Sequence, residues 1–433
     1  YVHLHDVAHY YLGSKYFPEL GYGSLYVAMA RAEAEEFGYA VTPEARDLTG
    51  NYLVPIGQLL SASDGVKGRF SPERWESFRR DIRYFRQRMG SAFGDVLKDH
   101  GYNPTPVWSL VGGAIANRVP AGSPVGIFFL TLLDPLLLAI AFAAVAAVFG
   151  TETALLAIVY FCVAFGAMYT WKGGAFAREL SFTAIVLSAC FLERQRHTIA
   201  GASLGLAAGL RIFPGLLLAG VLFHGMGELR RTGRIPAAHT RFVTGFAAAL
   251  LILVGATVLS PEGVSRWREF AANTGAHMRS ASSNLIGVTG WLAYLSGGET
   301  ATAEGIDAMI TWRRTASRLQ LVTLFPVALL LVAWLSQRVE LLRAMALGAL
   351  LILASLNLSA YYYAFVVLLL LAFRDRPREL ALIFSVELLV YLVHLFEQHE
   401  VMLYLYKSLL LFFLLLILYL DDMRRRIPAS STA

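Results

Sequence analysis

From residue 124 onward the chain alternates apolar runs with short charged connectors, whereas residues 1–123 mix polar, aromatic and apolar positions in short stretches. The runs predict membrane-spanning helices near residues 124–149, 152–170, 176–192, 239–260, 319–336, 341–356, 359–373, 378–396 and 402–420. Several fall short of the ~20 residues a perpendicular span needs, which predicts broken helices or helices sheltered by their neighbours. The alternating segments of about ten residues that mark membrane barrels are absent. The expected fold is therefore all-α: a polytopic transmembrane helical bundle behind a helical extracytoplasmic domain. The expected divisions are 1–123 (extracytoplasmic loop and insert), 124–260 (transmembrane core), 261–316 (second outer loop), 317–420 (C-terminal transmembrane helices) and 421–433 (cytoplasmic tail).

Finer patterning adds detail. Residues 24–37 have helical composition, and Thr42-Pro43 reads as a helix cap with proline in the first turn. Ser71-Pro72 repeats that signal. Beyond it Trp75, Phe78, Ile82, Phe85, Met89 and Phe93 recur three and four apart, with arginines on the remaining surface. Such a helix either packs on the protein or lies on the membrane. Residues 101–108 read as a rigid aromatic turn back to the bilayer. In residues 197–226 two apolar halves, each too short to span, flank Arg211-Ile212-Phe213-Pro214. This predicts a re-entrant or broken helix with Arg211 at its tip.

Composition agrees with a membrane protein: 56% of the 433 residues are hydrophobic and 16% charged, against about 25% charged in soluble domains. The formal charge of +6 is concentrated in loops, which points to membrane topology and not to nucleic acid. Arg194, Arg196, Arg230, Arg231, Arg234, Arg241, Arg338, Arg343, the 374–378 run and Arg424–Arg426 are expected on the cytoplasmic side. Residues 1–123 and the 261–316 loop then share the outer side, and a bacterial plasma membrane is the expected location. The polar start predicts a spanning helix upstream of Tyr1. Cys162 and Cys190 both lie in apolar runs, so no disulfide framework is expected.

The candidate chemistry centres on residues 3–26. Asp6 stands among His3, His5, His9, Tyr10, Tyr11, Lys15 and Tyr16, and a carboxylate among hydrogen-bonding rings can serve as general base towards a hydroxyl. His3, His5, Asp6 and His9 can also ligate a divalent metal, but no second cluster completes a cage, so no cofactor is expected. Arg211, costly in an apolar run, is a candidate clamp for a lipid phosphate or a partner of Asp134 or Glu179. The 265–287 stretch offers Arg266, Arg268, His277, Arg279 and Asn284 as a second wall. Tyr361, Tyr362 and Tyr363 either stack on a sugar or form an interfacial aromatic belt. Phosphate-loop, dinucleotide and H-E-x-x-H motifs are missing.

The acidic stretch around Asp6, GLAAGLRIFPGLLL (205–218), the WREF stretch from Trp267 and LSAYYYAF before a late span together resemble the GT-C superfamily of polyprenol-phosphate-sugar-dependent glycosyltransferases, in its bacterial mannosyltransferase-like branch. The resemblance covers most of residues 1–373. It implies a hexosyl transfer from a polyprenyl-phosphate-sugar donor to a lipid or glycan acceptor, with Asp6 as base. Arg211 stands where lysine is common in that family, and Arg211 or Lys15 would meet the lipid phosphate. His5, His9, Tyr10, Tyr11, His277, Asn284, Tyr361 and Tyr362 are the further expected substrate-binding residues. The insert at about 27–100 is longer than the family pattern. Competing readings are a transporter or lipid flippase, and a non-catalytic subunit of a membrane complex.

Overall fold

A computed structural model describes residues 2–167, 173–260, 263–278, 284–288, 291 and 322–426. The first part of the chain forms α1 (Leu4–Lys15), α2 (Phe17–Leu20), α3 (Leu25–Phe37), strands β1 (Glu44–Asp47) and β2 (Tyr52–Pro55), then α4 (Ile56–Ser61), α5 (Ser63–Lys67), α6 (Pro72–Met89), α7 (Phe93–Lys98) and α8 (Pro106–Ala116). The bundle follows with α9 (Pro124–Phe149), α10 (Thr151–Val163), α11 (Leu180–Glu193), α12 (His197–Leu210), α13 (Leu217–Thr232), α14 (Ala237–Val258) and α15 (Gly263–Met278). It closes with α16 (Leu324–Ser336), α17 (Leu341–Leu347), α18 (Ala349–Ser355), α19 (Val367–Ala372), α20 (Pro377–His394) and α21 (Glu400–Arg426). Helices dominate. Two short antiparallel ribbons interrupt them: β1 with β2, and β3 (Leu285–Ile286) with β4 (Leu358–Ser359).

Each part has its own hydrophobic core. One gathers Val7, Tyr11, Leu25, Phe78, Phe85 and Trp108 and reaches Phe176 and Leu210; the other runs from Leu138 to Tyr419. Helix α6 shows how the insert is built. Ser71 accepts the Arg74 amide and Pro72 occupies the first turn, and Trp75, Phe78, Ile82 and Phe85 are buried. Arg83 Nε donates to Glu36 and Arg86 Nε to Glu33, each at 2.7 Å. The helix therefore packs on α3 and is not a membrane-surface helix. Thr42-Pro43, expected to cap a helix, opens β1 instead. Thr42 Oγ1 donates to Glu44 O (2.9 Å) and Pro43 O accepts from Ile56 N (2.8 Å), spending the cap groups on the ribbon.

Among the described residues, three helices are long and apolar enough to cross a membrane: α9, α14 and residues Glu400–Asp422 of α21. The other expected spans carry shorter or less apolar helices. Apolar side chains are exposed along the long ones, including Phe128, Phe129 and Ile140 on α9 and Leu251 and Ile252 on α14, as lipid contact requires.

The break at Arg211 is present. Helix α12 ends with Arg211 in extended backbone (φ −144, ψ 124), a 3-10 turn covers Phe213–Leu216, and α13 follows. Thr105 Oγ1 donates to Gly209 O at 2.7 Å, satisfying a carbonyl that the helix end leaves open. His197 at the start of α12 and His224 and Glu228 late in α13 line one cavity with His239, so both halves return to the same end of the bundle. Against α14, α12 packs through small residues. A Cβ on Gly201 would stand 1.9 Å from Phe242 O, and one on Gly245 1.9 Å from Thr198 O.

Several predicted cytoplasmic charges meet at the end away from Arg211. Arg374 pairs with Glu193 at 2.7 Å, and Asp422 accepts from Arg343 (2.7 Å) and Arg376 (3.0 Å). Inside the bundle Glu387 accepts from Tyr160 Oη (2.8 Å), Phe165 N (2.8 Å) and Lys407 Nζ (2.7 Å). That acid is satisfied as a structural staple.

Candidate functional site

The stretch expected as a catalytic loop is a helix. His3 stands at the start of α1 with Nδ1 3.3 Å from the Asp6 amide, and its own amide donates to Gly174 O (3.0 Å). Helical spacing then puts His5, Asp6, His9 and Tyr10 on one face. That face lines a cavity of about 270 Å³. The turn after α7 supplies Asp99, His100 and Asn103 as its second wall. Arg178, His277, Asn284, Ser359 and Tyr361 close it. The β3–β4 ribbon and the Ala360 N–Asn284 O bond (2.8 Å) hold Asn284 beside Tyr361.

Asp6 is paired with the nearly buried Arg178 and lies 2.9 Å from His3 Nδ1. Burial opposes the charge on Asp6, but the Arg178 guanidinium and His3 outweigh it and hold the carboxyl well below the usual carboxylate range. Ala177, next to Arg178, sits at φ 49, a conformation a non-glycine residue adopts only when its surroundings enforce it. A step along α1, His5 Nε2 meets Asp99 Oδ2 at 3.1 Å. Burial disfavours the charged form of both groups; their mutual attraction prevails, raising His5 and lowering Asp99. His9 lies deeper, and burial pushes its pKa down. Its Nδ1 is 3.0 Å from His5 O, and its Nε2 lies 2.6 Å from Tyr26 Oη and 3.2 Å from Val96 O, so each ring nitrogen faces a backbone carbonyl.

Arg211 comes from the broken helix to the back of this wall, behind Tyr10, and does not itself line the cavity. Its Nη2 donates to Tyr10 Oη (2.9 Å), and the guanidinium lies 5.3 Å from the Tyr10 ring and 5.1 Å from that of Tyr362. Among the described residues no carboxylate pairs with it; Asp134 instead accepts the Glu179 amide at 3.1 Å. Arg178 stacks on Tyr361 at 4.6 Å. Tyr361 and Tyr362 therefore cover the two guanidiniums, and Tyr363 is buried with its hydroxyl on Ile286 O (3.3 Å). None of the three forms an interfacial belt. A narrow crevice continues from Arg178 and Tyr361 between Phe182, Ile185, Phe213 and Phe365.

Two expected substrate-binding residues do not belong to this site. Lys15 is buried against Asp81 Oδ2 (2.7 Å) and Tyr11 Oη (3.0 Å), and Tyr11 Oη also accepts the Ala121 amide (3.1 Å). Both lie on the opposite face of α1, where they tie it to α6 and to the turn before α9. The stretch from residue 265 is likewise helical, as α15, up to Met278. It brings His277 to the cavity but sends Arg266 to Glu269 and Pro18 O and leaves Arg268 exposed. Arg279 lies outside the described residues. Sequence reasoning missed Arg178 and Asp99. Arg178 directly precedes an apolar run, after Gly173-Gly174, which was the available signal; Asp99 lies 94 residues from His5 and carries none.

No family model, no curated protein and no solved structure matches this chain.

Proposed function

We propose that the chain is an integral membrane glycosyltransferase of the GT-C kind, moving a mannose-like sugar from a polyprenyl-phosphate donor to an acceptor hydroxyl on the outer face of a bacterial plasma membrane. One observation carries the reading. A carboxylate, Asp6, and a tyrosine-covered guanidinium, Arg178, line one cavity; a second guanidinium, Arg211, stands behind Tyr10 and Tyr362, and a narrow crevice runs on from Arg178 past Phe182, Phe213 and Phe365. Such a site suits a substrate with a polar head, a phosphate and a lipid tail.

In the reaction the acceptor oxygen attacks the anomeric carbon and its proton passes to an Asp6 oxygen. The bond from that carbon to the phosphate oxygen breaks, and its electron pair leaves with the lipid phosphate. Arg178 and Arg211 stabilise that departing charge. While paired to Arg178, Asp6 is ionised but weakly basic. A donor phosphate that shares Arg178 loosens the pair and raises the basicity of Asp6, so base and donor are linked through one guanidinium.

The test uses the full chain in nanodiscs with radiolabelled polyprenyl-phosphate sugars and a panel of hydroxyl acceptors. The reading expects release of lipid phosphate that requires Asp6 and falls in Arg178→Lys. Binding without cleavage, or movement of intact donor across the bilayer, would instead favour a transporter.

A further inference from the structure

The geometry points to a transition-metal site made by His5, His9 and Asp99, with one side open to the cavity. One ligand atom from each of the three residues lies within 4.8 Å of the others. The two histidines are four apart on α1 and so project from one helical face, and Asp99 comes across from the turn after α7. Two imidazoles and a carboxylate suit Zn²⁺ or a comparable first-row divalent ion. Three protein ligands with an open fourth position is the pattern of a site that also takes a water or a substrate oxygen.

The surrounding bonds favour this use. With its proton on Nδ1, His9 donates to the His5 carbonyl, the outer contact that fixes a ligating imidazole and directs its Nε2 at the ion. Two contacts of that Nε2, with the Tyr26 hydroxyl at 2.6 Å and the Val96 carbonyl at 3.2 Å, give way when the ion binds. The His5–Asp99 contact closes the ligand set at 3.1 Å before any ion arrives. The sequence suggested a different set, with His3 and Asp6 as ligands, but those two are engaged with each other, Asp6 also with Arg178. All three ligands line the cavity that holds Asp6 and Arg178, so a bound ion would face the same substrate and offer its open position to an oxygen of that substrate. The site rests on three side chains and holds whether or not sugar transfer is the reaction.

The experiment is metal binding by the tag-free full chain in nanodiscs after chelator treatment, with no sugar or lipid donor present. Zn²⁺ is titrated in competition with a chromophoric chelator, and Co²⁺ is followed by its visible absorption. One ion per chain is expected, with the intense absorption of low-coordinate cobalt. Affinity should fall about 100-fold in His5→Ala and in Asp99→Asn, at or beyond the upper end of losses seen when only outer-shell partners are removed. Lower pH should weaken binding, because protons compete for His5. Thermal unfolding in the absence of metal checks that the variants fold, and Zn²⁺ should raise the midpoint of the wild type but not of His5→Ala or Asp99→Asn. His224→Gln, at the His224–His239 contact (2.8 Å) of the opposite end, should leave affinity unchanged. No binding by the wild type, equal binding by the folded variants, or loss of the ion only in His224→Gln would each overturn the assignment.

Discussion

The two faces of α1 carry similar residues to different ends. On one, Lys15 and Asp81 form a nearly buried ion pair held by the hydroxyls of Tyr11 and Tyr16, the latter donating to Asp81 at 2.8 Å. On the other, Asp6 pairs with Arg178 at the wall of a cavity, with a second guanidinium from Arg211 nearby. The first pair ties α1 to α6, although Lys15 also borders a second cavity beside Arg74 and Ser109. The second pair shares its cavity with His5, His9 and Asp99. What separates the two faces is the set of titratable groups around each pair, not the residue types that form it.

The sharpest test of that contrast is Asp6→Asn. If Asp6 is the base, turnover should fall by about 100- to 10,000-fold, the range general-base catalysis supplies, while binding of lipid phosphate persists. Turnover equal to wild type would remove Asp6 from the reaction. Lys15→Met tests the other face. Leaving Asp81 buried without its cation should cost roughly 3–5 kcal/mol, read as a lower unfolding midpoint, with turnover per folded molecule unchanged. An equally stable Lys15→Met protein that no longer binds donor would reverse the assignment of the two faces.

A smaller effect is expected from Arg211→Lys. Charge survives but the flat guanidinium between Tyr10 and Tyr362 is lost, so donor affinity should drop about tenfold, the worth of one charge-assisted hydrogen bond. The smallest is the pH dependence of the His5–Asp99 pair. His5 is raised, so its contribution to stability is complete below its unfolded pKa and fades as pH rises through the folded value. Asp99 is lowered, so its share is present above its unfolded pKa and fades as pH falls through the folded one. The pair therefore stabilises most in mildly acidic solution. Because it is partly exposed, raising the pH past neutrality should cost at most about 0.5 kcal/mol, and Asp99→Asn should abolish the difference.

Much of this arrangement is legible in the chain itself because it is local. The three- and four-residue spacing of α6, the apolar lengths of α9 and α14, and the Arg211–Pro214 break are all written within a few turns. His5, Asp6, His9 and Tyr10 were legible as a cluster for the same reason. Lys15 was misread because a cation near an acid in sequence carries no sign of which side of the helix it takes; Asp81, 66 residues on, decides that. Arg178 and Asp99 enter the site through tertiary packing, with the Gly174 turn docking on His3 and the end of α7 docking on His5. Thr42-Pro43 failed for a related reason, since the same two residues that begin a helix also begin a ribbon when Ile56 is present to pair with them.

The glycine contact between α12 and α14 has a kinetic consequence. With backbones touching at Gly201 and Gly245, α12 is held along a helix long and apolar enough to cross a bilayer, and the depth of Arg211 follows from it. If the donor is the bilayer-anchored lipid phosphate proposed above, it comes to the site by lateral diffusion, a search in two dimensions. Its encounter rate then scales with mole fraction among the lipids and is insensitive to the volume of water outside. Diluting such a donor with inert lipid would slow the protein; diluting the whole suspension with buffer would not.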